Sequence, residues 1–307
     1  PYGKNKLQTK SRSKSCKKAP KYEILARHTQ MAANRRLQRL QAVLTAGEED
    51  NRQPVCLVLA AGAGIGQGVA RKFAAEGYHA VVVRRGAGPN RLLKEEDKTK
   101  EKFEEFVQSI KEEGGMATAF YADGADPEQM AKLVKDVEEN VGPIHCAVYN
   151  IGAQVGNRSI AETSYRIYEL MFRQGSLGAF AMAKECSPYM IKRGFGSLIY
   201  TSATAAYRGN KGQHAHAAAM GGRMRLTQSL NAELGPQGIH VARINIDGLV
   251  NAPDTAGKLM ERAGGAGAFQ KRLERNEGKD EIIEPTAVAD TYYHLHTQPR
   301  NAWTLDL

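Results

Sequence analysis

The chain has 307 residues, 42% hydrophobic and 25% charged, which supports one large core and excludes disorder throughout. No apolar run reaches the roughly eighteen residues of a membrane span, and Cys16, Cys56, Cys146 and Cys186 are spaced for neither a zinc knuckle nor a disulfide framework, so an organelle matrix or the cytoplasm is expected. The formal charge of +10 is concentrated at one end: residues 1–40 hold twelve of the 43 Lys and Arg and one acid, Glu23, leaving 31 basic and 32 acidic groups over residues 41–307.

The first segment, "PYGKNKLQTKSRSKSCKKAPK", is too polar to pack and is predicted to be extended. Over about 22–44, Ile24, Leu25, Met31, Leu37, Leu40 and Leu44 form a narrow helical stripe with Arg27, Arg35, Arg36 and Arg39 on other faces. Residues 1–53 are therefore read as a basic arm, extended then helical, ahead of a domain at 54–307. Its cations, Lys4, Lys6, Lys10, Arg12, Lys14, Lys17, Lys18, Lys21, Arg27, Arg35, Arg36 and Arg39, suit a polyanion such as RNA or an acidic protein surface. The Arg-rich segment also resembles a processed organelle import region, mitochondrial or otherwise.

Beyond the arm, strands and helices alternate. Strands are predicted from Val55 ("VCLVLA"), over 79–85, 116–123, 144–150, 197–202 and 239–246, with a helix from Gly66 to Glu76 stopped at Gly77. Met130, Leu133, Val134, Val137 and Val141 recur at helical spacing, and "HAHAAAMGGRMRLTQSLNAEL" reads as a helix over 214–234. This alternation implies βαβ units and an α/β fold with a doubly wound parallel sheet of the Rossmann kind.

The first strand runs into "AAGAGIGQG", whose Gly62, Gly64, Ile65 and Gly66 open a helix. Backbone N–H groups there can approach a pyrophosphate at the positive end of that helix. Arg84 and Arg85 end the second strand, where guanidinium groups suit a 2′-phosphate and favour NADP; two solvated arginines facing a partner are the other reading. Histidines two apart on a helix point about 200° from each other, so neither His214 with His216 nor His294 with His296 makes a metal site, and no other spacing suggests one.

These features, with "VYNIG" (148–152), Asp123 after the third strand, "ELGPQGIHVARINIDG" (233–248) and the tail "HLHTQPRNAWTLDL", resemble the short-chain dehydrogenase/reductase family over residues 54–307. The resemblance implies a nucleotide site at Gly62, Gly64, Ile65, Gly66, Arg84, Arg85, Asp123, Asn150 and Gly152, holding NADP or nothing. It also implies a dimer through helices at about 165–192 and 214–234. Leu59 and Ala60 stand where the family's glycine motif has Thr and its first Gly.

The family's chemistry uses a Tyr, a Lys four residues on, an upstream Ser and an Asn. The corresponding positions are His216, Met220, Ala203 and Gly175, so all four groups are changed. A thioether gives no hydrogen bond to a ribose, and alanine gives none to an oxyanion. Three functions are then weighed. The first is a catalytically inactive scaffold anchored by its arm in an organellar assembly such as a mitochondrial ribosome. The second is an NADPH-dependent carbonyl reductase with His216 as replacement acid, since an imidazole titrates near about 6.5. The third is an accessory subunit of a respiratory-chain or cytoskeletal complex. The sequence favours the first.

Overall fold

The computed structural model describes residues 50–86, 98–152, 154, 156–277, 279 and 281–307. The basic arm, with the helix expected at 22–44 and all twelve of its cations, lies outside the described residues.

Six apolar runs become parallel strands: β1 (Val55–Leu59), β2 (His79–Arg84), β3 (Met116–Tyr121), β4 (Ile144–Tyr149), β5 (Gly196–Ala203) and β6 (Ile239–Ile246). They form one sheet in the order β3-β2-β1-β4-β5-β6. β1 and β4 are buried at every residue, because helices cover both faces. On one face, Val69, Ala70 and Phe73 of α1 (Ile65–Ala75) and Phe103, Val107 and Ile110 of α2 (Lys98–Glu112) enter the core. On the other, α3 (Pro127–Asn140) contributes Met130, Leu133, Val134 and Val137. Asp126 caps α3 by accepting from the Glu128 (3.0 Å) and Gln129 (3.2 Å) amides, with Pro127 in the first turn where no N–H is needed.

The helix expected over 165–192 is interrupted. It runs as α4 (Tyr165–Phe172), a five-residue π-helical segment (Arg173–Leu177) and α5 (Gly178–Arg193). A close approach accompanies the interruption. α6 (His214–Leu234) crosses so near that a Cβ on Gly175 would lie 2.5 Å from the Ala219 Cβ. The sequence reading also missed α7 (Lys258–Gly264), α8 (Ala268–Asn276), the small sheet pairing β7 (Leu249–Val250) with β8 (Ile282–Ile283), and α9 (Pro285–His296). α9 completes the α1/α2 face with Ala289, Tyr292 and Leu295. Among the described residues no helix is long and apolar enough to cross a membrane.

Strand order reverses between β1 and β4, which opens a crevice at the carboxyl ends of the strands, where ligands bind in such sheets.

Candidate active site

The glycine loop lies in that crevice. Gly64, at φ 140°, leads into α1, whose first turn has no side-chain cap and no acid, so its amides are available to an anion. Ala60 has φ 62°; among the described residues it is the one non-glycine in the left-handed region. Its carbonyl accepts from Asn150 Nδ2 (3.1 Å), and Thr201 Oγ1 donates to Asn150 Oδ1 (2.9 Å), so Asn150 ties the loop to β5. Asp123 Oδ1 accepts the Ala125 amide (3.0 Å), and Gly152 is exposed with nothing within 4 Å of an added Cβ.

An acid that the sequence reading did not single out meets this loop. Asp254, in the π-helical segment Pro253–Gly257, accepts the Ala63 amide on Oδ2 (3.1 Å). The same oxygen lies 3.3 Å from Arg84 Nη2, and Oδ1 lies 3.9 Å from Lys258 Nζ. Arg84 also stacks over Phe103, 5.6 Å from the ring centre, while Arg85 is exposed. The loop amide and Arg84 therefore already hold one anionic oxygen, and that donor set fits a phosphate oxygen. No sequence signal could have found Asp254, because it lies 191 residues from its amide partner.

The four positions that the sequence reading matched to proton-transfer groups lie on or close to α6. Met220 is buried against Met171, Ala205, Ala215 and Ala219, so the lysine position is filled by packing. Gly175 leaves no room for an asparagine side chain against Ala219. Ala203 ends β5; beside it the Ser202 hydroxyl is buried without a hydrogen-bond partner, and Thr204 Oγ1 donates to Asp247 (2.8 Å). His216 is half-buried in a small cleft with Gly156, Arg158, Thr163, Gly212 and His214. His214 pairs with Thr163 Oγ1 (2.9 Å). His296 lies in the core on Ser197 Oγ (2.9 Å) and Tyr78 OH (2.8 Å). Among the described residues no cluster of three metal-ligating side chains occurs.

Sequence reasoning also missed Arg223. It is buried in α6 and donates to the carbonyls of Gly175 (2.7 Å), Thr201 (2.5 Å), Ile151 (2.8 Å) and Gln174 (3.1 Å), with its guanidinium 4.8 Å from the centre of the Tyr149 ring. Burial lowers its pKa to about 10, so it stays cationic at neutral pH.

The short chain dehydrogenase family profile matches residues 54–258. The chain belongs to that family. It is 29% identical over 185 residues to 2,3-dihydro-2,3-dihydroxybenzoate dehydrogenase of Bacillus subtilis, covering 60% of this chain and 66% of that one. It is 30% identical over 215 residues to the short-chain reductase protein NovJ of Streptomyces niveus, covering 70% and 76%. The chain thus spans about two thirds to three quarters of these relatives' lengths. A short-chain dehydrogenase structure from Rhodopseudomonas palustris superposes with TM-score 0.64 at 27% identity, covering 83% of this chain and 97% of that one. An alcohol dehydrogenase from Thermococcus sibiricus complexed with 5-hydroxy-NADP shares the fold, with TM-score 0.65 at 17% identity, covering 83% and 94%.

These comparisons correct the first functional expectation. These relatives are named dehydrogenases and reductases, so the inactive-scaffold reading is overturned and the oxidoreductase alternative is the one they support. Altered residue types at four positions and the basic arm made that expectation; the family assignment rests on the profile match over residues 54–258.

Proposed function

We propose that the chain is an NADP-dependent oxidoreductase acting on a carbonyl substrate, with His216 as the proton donor. The observation that carries the cofactor half is the Asp254 contact: the Ala63 amide and Arg84 converge on one anionic oxygen at the mouth of α1. In this reading Gly62, Gly64, Ile65 and Gly66 hold the pyrophosphate, Arg84 and Arg85 the 2′-phosphate, and Asp123, Asn150 and Gly152 line the rest of the nucleotide site. NADPH, when bound, supplies the hydride. The name of the Thermococcus sibiricus neighbour, complexed with 5-hydroxy-NADP, is consistent with this choice of nucleotide.

The chain's own residues supply the rest. His216, at the first turn of α6 in the cleft, is the group that would pass a proton to a carbonyl oxygen. With no serine or lysine partner at the aligned positions, the rate is expected to fall about 10²- to 10³-fold for each missing donor, short of full additivity.

The test is NADPH oxidation by the full chain against a panel of ketones, aldehydes and quinones. Turnover should be slow and should be lost in His216→Ala. Turnover retained in His216→Ala, or faster with NADH than with NADPH, contradicts the reading.

A further inference from the structure

Buried cations are costly, and they persist where something other than packing requires them. Arg223 is 1% exposed, and no carboxylate is among its partners. Its acceptors come from three segments: the residue after Asn150 at the end of β4, Thr201 near the end of β5, and Gln174 and Gly175 in the π-helical segment. All three meet at the carboxyl end of the sheet. Tyr149 supports the same point from below, stacking under the guanidinium and donating its hydroxyl to the Gln174 carbonyl (2.7 Å).

The placement along α6 is regular. His216, Met220 and Arg223 stand four and then three residues apart, so they share one face of the helix. At the lysine position the face carries a buried thioether, and one turn later it carries a fixed positive charge. The chain from Arg223 through Thr201 and Asn150 to the Ala60 carbonyl connects that charge with the glycine loop.

We infer that Arg223 is the positioning residue of this site, setting the floor under the nicotinamide end through the carbonyls of Ile151, Thr201, Gln174 and Gly175. It replaces the charge that Met220 cannot supply. It touches no ligand itself. Its guanidinium fork is required because one planar group must reach acceptors on three segments, which an ammonium cannot do in the same geometry. The 2′-phosphate and adenine end, assigned to Arg84, Arg85 and Asp123, is not among its contacts. This inference rests on the nucleotide reading above.

The experiment compares the full chain with Arg223→Met, Arg223→Gln and Arg223→Lys, using two probes read by calorimetry: NADPH, and adenosine 2′,5′-bisphosphate, which lacks the nicotinamide half. Hydrogen exchange without any nucleotide is measured in parallel. We expect at least tenfold weaker NADPH binding in Arg223→Met, adenosine 2′,5′-bisphosphate binding within twofold of the unaltered chain, and partial recovery in Arg223→Lys. Exchange should rise at 151–152 and 173–177 but not over β2. If Arg223→Met does not fold, the Gln and Lys variants carry the same comparison. Equal losses for both probes, no loss for either, or a uniform rise in exchange overturns the inference. If the unaltered chain binds neither probe, the nucleotide reading fails by itself, and the exchange pattern alone then decides for or against Arg223.

Discussion

Ala60 holds the left-handed conformation that the family's motif reserves for glycine, and the cause of its cost is its Cβ, crowded against the following carbonyl. Replacement by glycine removes that crowding, offset in part by the greater freedom of an unfolded glycine. Ala60→Gly should therefore raise stability by about 0.5–1 kcal/mol, seen as a higher denaturant midpoint at constant m-value. His145 makes the opposite kind of contribution. Burial, with a smaller effect of Arg193, lowers its pKa to about 4, so it is neutral in the folded chain and titrates near 6.5 when unfolded. Below 6.5 the unfolded chain binds the extra proton, and stability is lost as pH falls from about 6.5 to 4. The loss amounts to about 3 kcal/mol and should flatten in His145→Phe, measured as melting temperature against pH. At this scale the glycine loop was legible because spacing and context specify a turn. Arg223 was not: in "GGRMRL" it reads as a surface cation, since α6 is covered on several sides and shows no clean apolar stripe to mark which residues face inward.

On the proposed nucleotide reading, the segment Pro253–Gly257 stands where a phosphate would bind. Its Asp254 carboxylate and a phosphate would compete for the Ala63 amide and Arg84, so removing the charge should favour the phosphate. Asp254→Asn is expected to bind NADPH about tenfold more tightly, the equivalent of one charge-assisted hydrogen bond of about 1.4 kcal/mol. Equal affinity in the two proteins would mean that the segment does not compete. Elements whose apolar runs or stripes face one core were readable in advance: β1 to β6 and α3 are examples. α7 and α8 were not, since "GKLMERAGGAGAFQKRLERN" is short, glycine-broken and charged, and β7 and β8 have two residues each. The π-helical break in the 165–193 helix lies where Gly175 meets Ala219, 44 residues away, and no local pattern encodes it.

At the scale of the whole sheet, the strand order places the glycine loop, Asn150 and Thr201 together at the carboxyl ends of β1, β4 and β5. Of the two helices suggested for self-association, the one over 165–193 carries exposed aromatics: Tyr165 (97% exposed), Tyr168, Phe172 and Phe180. We expect a second copy to cover them, so that Tyr168→Glu with Phe172→Glu shifts the protein from dimer to monomer in sedimentation; an unaltered chain that sediments as a monomer contradicts this. The central claim, a nucleotide site selective for the 2′-phosphate, is tested most directly by melting the purified chain with saturating NADPH or NADH. Ligand at about 100 Kd adds roughly 2.7 kcal/mol, a rise of about 5–10 °C for a domain of this size. The account predicts that rise with NADPH, a smaller one with NADH, and loss of the difference in Arg84→Ala with Arg85→Ala. No shift with either nucleotide, or an equal shift with both, would contradict it.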